Sequence, residues 1–300
     1  MKVMDKNVCF GLIVATRGFF NPVLAGTARK ELLELLDELS IEYVIGSENA
    51  TPHGTVETLE HAKIYAKLFR ENAERIDGVL VILPNFGDEL GVVQTLDMAK
   101  LNVPVLVQAC KDELDKVGVF SRRDAFCGKL SVCNNLYQYN IPFTDTTFHT
   151  CDIKSQAFRD DLDRFSRICR TVKGLTNARI GAIGARPAAF QTVRYSEKLL
   201  QSSGITIVPV DLSEIFAAAK AFDDNAAQVQ EKLDAIRAYG TIPAKFPDEQ
   251  VLRQAKFSVA VDDWMAVNEC VASAVQCWTS MQDNYCLLYT SDAADECVNV

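Results

Sequence analysis

Three nearly unbroken apolar runs constrain this chain more than any other feature: VCFGLIVAT (8–16), DGVLVILP (77–84) and VPVLVQA (103–109). They are short and do not alternate polar with apolar, so each reads as a strand buried on both faces. The segments between them have helical spacing. TARKELLELLDEL (27–39) is amphipathic, and TVETLEHAKIYAKLFRENAERI (55–76) places Leu59, Ala62, Ala66 and Phe69 on one side. IEYVIG (41–46) adds a further strand. Apolar strands separated by helices predict a parallel sheet covered on both faces. Right-handed crossovers then set the loops that follow the strands along one edge, where open α/β sheets bind ligands.

The pattern restarts at NARIGAIGARPAAF (177–190), continues through a helix at TVRYSEKLLQSSG (192–204) and a strand at ITIVPVDL (205–212), and becomes helical over 213–238. The polar helix QAFRDDLDRFSRICRTVKGL (156–175) crosses between the two units. The predicted fold class is therefore α/β, with two linked Rossmann-like or flavodoxin-like parallel-sheet domains at 1–175 and 176–285. Between Pro247 and Tyr285 there is no glycine, and Val267, Val271, Ala274, Val275 and Trp278 recur at helical spacing, so this stretch reads as one long helix. Its Trp264 to Trp278 face has nothing in sequence to cover it, which predicts a missing further domain or a partner subunit.

That pattern stops abruptly at NYCLLYTSDAADE (284–296), without a cap or a following element. The run CLLYTSDAADE resembles read-through of a sequencing-library adapter. Residues 286–300 are accordingly expected to be an artefactual tail and the protein to be an N-terminal fragment.

A net charge of −9 argues against nucleic acid or an anionic membrane as partner, and leaves a small neutral ligand open. No segment reaches the roughly 18 to 20 apolar residues of a membrane span. The run Val8 to Ala15 is too short, and too soon interrupted by Arg17, for a signal peptide. These features predict a cytoplasmic protein. Cys9, Cys110, Cys127, Cys133, Cys151, Cys169, Cys270 and Cys277 form no CxxC pair and sit mostly among apolar neighbours, as buried reduced thiols do. With only His53, His61 and His149 present, a histidine-rich metal site is not expected.

The candidate site residues lie on the loops after strands. Arg17, in ATRGFFNP (15–22), is placed to hydrogen-bond hydroxyls or a carboxylate of a small ligand; the alternative is a solvated loop arginine. In LPNFGDE (83–89), Pro84 and Gly87 suit a tight turn, while Asn85 and Asp88 are candidates to hold polyol oxygens. GAIGARPAAF (181–190) lacks G-x-G-x-x-G spacing, which makes it a poor nucleotide fingerprint. Arg186, beside Pro187 at an expected helix start, could still meet an anion or hydroxyl. Gln276, beside the apolar stripe, needs hydrogen-bond partners if buried and is a better candidate than the tryptophans. Asp262, Asp263 and Glu269 read as helix-surface or capping carboxylates. No Ser-His-Asp order, Walker loop or paired-Cys zinc pattern is present. The residues themselves support a two-unit ligand binder or a piece of an enzyme.

The order of DGVLVILPNFGDE, IGARPAAF, YSEKLLQSSGI, VDLSEI and ASAVQCWTSMQDNY along the chain resembles the L-fucose/L-arabinose isomerase family, from about residue 7 to Tyr285. The resemblance implies an oligomeric, manganese-dependent enzyme that interconverts aldose and ketose sugars through an ene-diol. Such an enzyme has two N-terminal α/β domains and a C-terminal domain. It implies substrate contacts at Arg17, Gln276 and Trp278, with Arg17 serving a neighbouring subunit, and metal ligands and catalytic groups beyond residue 285. The fragment alone is then expected to be inactive. The competing expectations are a non-catalytic two-domain sugar-binding protein and an assembly subunit that uses the Trp264 to Trp278 face.

Overall fold

The computed structural model describes residues 8–118, 120–243 and 246–285, so the expected artefactual tail at 286–300 lies outside the described residues. The chain divides after Gly174 into two compact units, both α/β with parallel sheets.

In the first unit, β1 (Cys9–Val14), β2 (Glu42–Val44), β3 (Gly78–Leu83), β4 (Val105–Ala109) and β5 (Thr144–Asp145) form one sheet in the order β2-β1-β3-β4-β5, every pair parallel. Every residue of β1, β3 and β4 is buried, because helices cover both faces. On one side α2 (Leu59–Glu71), α3 (Glu89–Ala99) and α4 (Ala125–Gln138) bring Tyr65, Phe69, Val92 and Val132 against Ile13, Val81 and Val107. On the other, α1 (Pro22–Glu38) and α5 (Gln156–Leu175) bring Leu32, Leu36, Phe158, Leu162 and Phe165 against Phe10, Leu12, Leu80 and Leu106. Successive strand residues thus alternate between two cores.

The predicted helix over 55–76 begins later, at Leu59, where the Thr58 hydroxyl accepts from the His61 N–H at 3.3 Å. The residues before it are claimed by the sheet. Val56 N–H donates to Val14 C=O and Thr16 N–H to Val56 C=O, so this segment extends the lane of β2 alongside the end of β1.

In the second unit, β6 (Arg179–Ile183), β7 (Thr206–Val210) and β8 (Ala272–Val275) form a parallel sheet in the order β7-β6-β8. Pro209, which has no N–H, lies in edge strand β7. α7 (Leu212–Ala221), α9 (Asp248–Val267) and α10 (Ser280–Tyr285) pack Phe216, Phe257 and Tyr285 into one core, with the Tyr285 ring stacked 5.0 Å from Phe216. α8 (Ala227–Tyr239) packs Val229 and Leu233 against Val251 and Val259 of α9.

Three helical expectations are corrected here. The stretch 213–238 breaks into α7 and α8, because Asp223 turns the chain through its carboxylate, which accepts from the Asn225 N–H at 2.8 Å. The stretch 192–204 shortens to α6 (Glu197–Ser202), capped by Ser196, after a single 3₁₀ turn at Gln191–Val193. The long helix from Pro247 to Tyr285 ends at Val267. Glu269 takes the left-handed conformation (φ 55°), Val271 N–H bonds Arg179 C=O, and the following residues become β8 beside β6. Trp264 therefore does not share a stripe with Trp278. It packs on β6, where a Cβ on Gly181 would stand 2.6 Å from its ring.

This packing has two measurable consequences. A Cβ on Gly128 of α4 would fall 1.5 Å from the Phe86 carbonyl oxygen, a backbone atom. Gly128→Ala should therefore lower the stability of the first unit by about 3 kcal/mol in urea titration and shift the loop that carries Phe86. Burial pushes the Cys169 thiol up to about 12 and that of Cys110 to about 11, so at pH 8 only about one Cys169 in ten thousand is thiolate. Cys127 is exposed, and its thiol is raised chiefly by its hydrogen bond to Asp124. Iodoacetamide followed by peptide mapping should label Cys127 well ahead of Cys110 and Cys169 in the native protein, and all three alike in denaturant.

Candidate functional site

In the first unit the chain leaves β1 toward β2 on one side, while β3 lies on the other, so the two connections diverge between β1 and β3. That divergence opens a crevice at the carboxyl ends of the strands, where open α/β sheets place ligands. The loops after β1 and β3 carry Arg17, Asn85 and Asp88.

Asn85 has no solvent exposure. Its amide N–H donates to Thr16 Oγ1 at 2.9 Å, and its carbonyl accepts from the Gly87 N–H at 3.1 Å, tying the two loops together. Gly87 itself needs the left-handed conformation (φ 69°), and a Cβ there would meet Leu83 at 2.6 Å. Asn85 is therefore a buried brace, while its expected polyol contact has no solvent-facing atom to make it. Asp88 is the N-cap of α3, accepting from the Gly91 N–H at 3.0 Å.

Arg17 projects over this brace. Its Nε donates to Gly87 C=O at 3.1 Å, one terminal nitrogen bonds the Glu89 carboxylate, and Asp88 stands 3.7 Å away. Its guanidinium carbon lies 4.5 Å from the Phe86 ring centre. Phe86 stacks on Phe20 at 6.0 Å, and Arg122 lies 5.9 Å from the Phe20 ring. The Gly18 N–H donates to the Glu57 carboxylate, which arrives on the segment laid beside β1. Arg17 is one-third exposed, so it keeps a face for a ligand.

In the second unit β6 leads to β7 on one side and has β8 on its other side, so the loops after β6 and β8 are neighbours. Gln276, just past β8, accepts from the Ala185 N–H at 2.8 Å and donates to Trp278 C=O at 2.6 Å. Gly184 has a left-handed φ of 79°, and a Cβ there would stand 2.5 Å from the Gln276 carbonyl oxygen. Gln276 is a loop brace reached from a strand end, not a member of a helical stripe. Trp278 is partly exposed and packs its ring 4.7 Å from Phe190. Arg186 is not at a helix start. One of its terminal nitrogens donates to the carbonyls of Pro187, Ala188 and Phe190, which folds its own loop.

The topology thus gathers Arg17, Asn85 and Asp88 at one crevice and Arg186, Gln276 and Trp278 at another. Glu57, Glu89, Phe20, Phe86 and Phe190 join them without having been singled out from sequence. Phe86 and Phe20 stood inside the strand-end loops, whereas nothing in the residues around Glu57 signals that it will cross to Gly18. Two concavities lie elsewhere. One of about 870 Å³ is lined by residues from Arg237 to Asp248, and one of about 470 Å³ lies at the amino end of β4 between Lys100 and Thr144. Neither gathers the strand-end loops, so the candidate site follows from topology and not from volume. Among the described residues no group of three or more His, Cys, Asp or Glu side chains could hold a metal ion, and these residues do not fit a manganese site.

Residues 11–176, more than half of the chain, match the family described as fucose/sulfoquinovose isomerase, N-terminal domain. The chain belongs to this family. It is similar to the sulfoquinovose isomerases of Priestia aryabhattai and Priestia megaterium (strain ATCC 12872 / QMB1551), each 26% identical over 268 residues. Those residues make up 88% of this chain and 57% of the relatives' length, so the chain spans little more than half of either relative. A solved structure of 2,3-dimethylmalate lyase, a PEP mutase/isocitrate lyase superfamily member, overlaps at a TM-score of 0.24. It is 12% identical over 88% of this chain and 93% of that one, a likeness too small to carry an argument. The resemblance seen in the ordered motifs therefore holds at family level, and the β1–β3 crevice falls inside the matched domain.

Replacing Asn85 by Ala would leave the Thr16 hydroxyl and the Gly87 N–H without their buried partner. Chemical denaturation should show a loss of about 2 kcal/mol in Asn85→Ala, and the Arg17 loop should exchange its amide protons faster.

Proposed function

We propose that this chain is the N-terminal part of a sugar isomerase that interconverts an aldose and its ketose. Membership of the isomerase family across residues 11–176 carries the reading. The substrates in this proposal are L-fucose, L-arabinose or a related sugar. Isomerisation moves a proton between C1 and C2 through an ene-diol, which calls for an acid/base pair and, in this proposal, a manganese ion that polarises the two sugar oxygens.

The described residues supply orientation and not proton transfer. Arg17, held by the loop after β3, offers N–H donors to sugar hydroxyls, and the Trp278 ring offers an apolar face to carbon-bound hydrogens. The base, the acid and the metal ligands are assigned to sequence that follows Tyr285 in the longer protein. Arg17 then completes the site of a neighbouring copy in a homo-oligomer. Among the described residues no helix is long and apolar enough to cross a membrane, and eight free cysteines suit the reducing cytoplasm in which we place the protein.

With manganese added, the 300-residue chain should convert neither L-fucose nor L-arabinose to its ketose. The protein expressed from a reading frame extended beyond codon 285 should convert at least one of them, as followed by ketose formation. Turnover by the 300-residue chain would place the catalytic groups within it and overturn their assignment. Sugar-dependent thermal stabilisation without turnover by the extended protein would favour a non-catalytic sugar binder instead.

A further inference from the structure

The two groups at the β1–β3 crevice best suited to receive an anion, the Arg17 guanidinium and the Gly18 N–H, are both already taken by carboxylates of this chain. Glu89 bonds Arg17, with Asp88 3.7 Å from the same nitrogen, and Glu57 accepts the Gly18 N–H. The Arg17 charge therefore meets two carboxylates, and a third is held one residue on, at the Gly18 N–H. The other arginines of this edge do not redress the balance, because Arg122 lies 3.8 Å from Asp124 and Arg123 lies 3.7 Å from Glu113. A phosphate or sulfonate brought to Arg17 would have to displace Glu89 and then remain within a few ångströms of two or three like charges. A hydroxyl carries no such cost. It can accept from a free guanidinium N–H while donating to Glu89 or Glu57, which turns the same carboxylates into partners.

From this geometry we propose that Glu89, assisted by Glu57, is a specificity determinant that restricts the β1–β3 crevice to uncharged sugars and rejects sugars bearing a sulfonate or phosphate there. The proposal rests on the reading that a sugar binds at this crevice. It separates this chain from relatives named for a sulfonated sugar. The exposure of these side chains, near 30% for Arg17 and Glu89, keeps each ion pair weak, so the selectivity comes from net local charge and not from pair strength.

The test uses the 300-residue chain, labelled with nitrogen-15, and follows the amide resonances of Gly18 and Gly87. Methanesulfonate serves as the sulfonate probe, with sodium chloride titrated in parallel to remove ionic-strength effects. The wild-type protein should show no saturable shift with methanesulfonate. Glu89→Gln should bind it saturably and at least tenfold more tightly, Glu57→Gln should strengthen this further, and adding Arg17→Gln should abolish it. Unchanged resonances in β3 and α4 would establish that the variants are folded, and Glu57→Gln alone provides a second route if Glu89→Gln is not. Saturable wild-type binding at Gly18, or no gain in folded variants, would overturn the charge filter. L-fucose is titrated separately. A shift of the same amides in the protein extended beyond codon 285 supports sugar binding here and its absence there removes the sugar reading, while the methanesulfonate titration of the 300-residue chain still decides the charge filter by itself.

Discussion

A single side-chain amide holds the candidate site together. Asn85, wholly buried, joins Thr16 on the loop after β1 to Gly87 on the loop after β3, and so closes the top of a sheet whose two central connections run in opposite directions. Without that link, the two loops would be tied only through the partly exposed Arg17 contacts and the Phe20–Phe86 stack, with no buried polar bond between them. With it, Gly87 C=O is aimed at Arg17 Nε, and Phe86 is set beneath the guanidinium. Close packing of α4 through Gly128 fixes the same loop from the other side. The position of Arg17 is therefore a consequence of core packing carried upward through one amide.

The second unit reaches a similar solution with different residues. There Gln276 joins the loop after β8 to the loop after β6, again beside a glycine with positive φ and again between the ends of neighbouring strands. Short polar side chains that accept and donate at once suit this role. Neighbouring parallel strands end with their last N–H and C=O groups unpaired, and an amide can satisfy one of each. Residues that looked like ligand contacts from sequence, Asn85 and Gln276, are in this view the scaffold that positions Arg17 and Trp278.

Much of the fold was legible because burial on both faces leaves a strong mark. β1, β3 and β4 stood out as apolar runs, and the parallel α/β architecture followed from what separates them. What stayed hidden depended on contacts distant in sequence. α3 and α4 lack a strong one-sided pattern, since α3 buries residues on most of its surface, and β5 is only two residues long. The break after Val267 was concealed by the absence of glycine. Glu269 takes the left-handed turn that glycine or asparagine usually supplies, while Val271 to Val275 satisfy helical spacing and β-branched strand chemistry equally well. At the site, the loops and Arg17 could be placed from the order of strands. Asp88, beside Arg17, stood among those loop residues, whereas the Glu57 carboxylate at the Gly18 N–H could not be placed, because it arrives through a backbone bridge between Ala15 and Val56.

That bridge also bears on what the crevice recognises. A flavodoxin-like strand order often implies phosphate binding, because loop N–H groups at the carboxyl edge are free to cradle an anion. Here the chain reuses the same edge but brings Val56 into line beside β1, which delivers the Glu57 carboxylate to the Gly18 N–H. The fold therefore offers an anion site and the local sequence fills it from within. Strand order gives the location of the crevice, whereas the carboxylates of Glu57, Asp88 and Glu89 give its charge. The chemistry that remains there, a partly exposed guanidinium flanked by carboxylates and an aromatic ring, suits a ligand that both donates and accepts hydrogen bonds and carries no charge of its own.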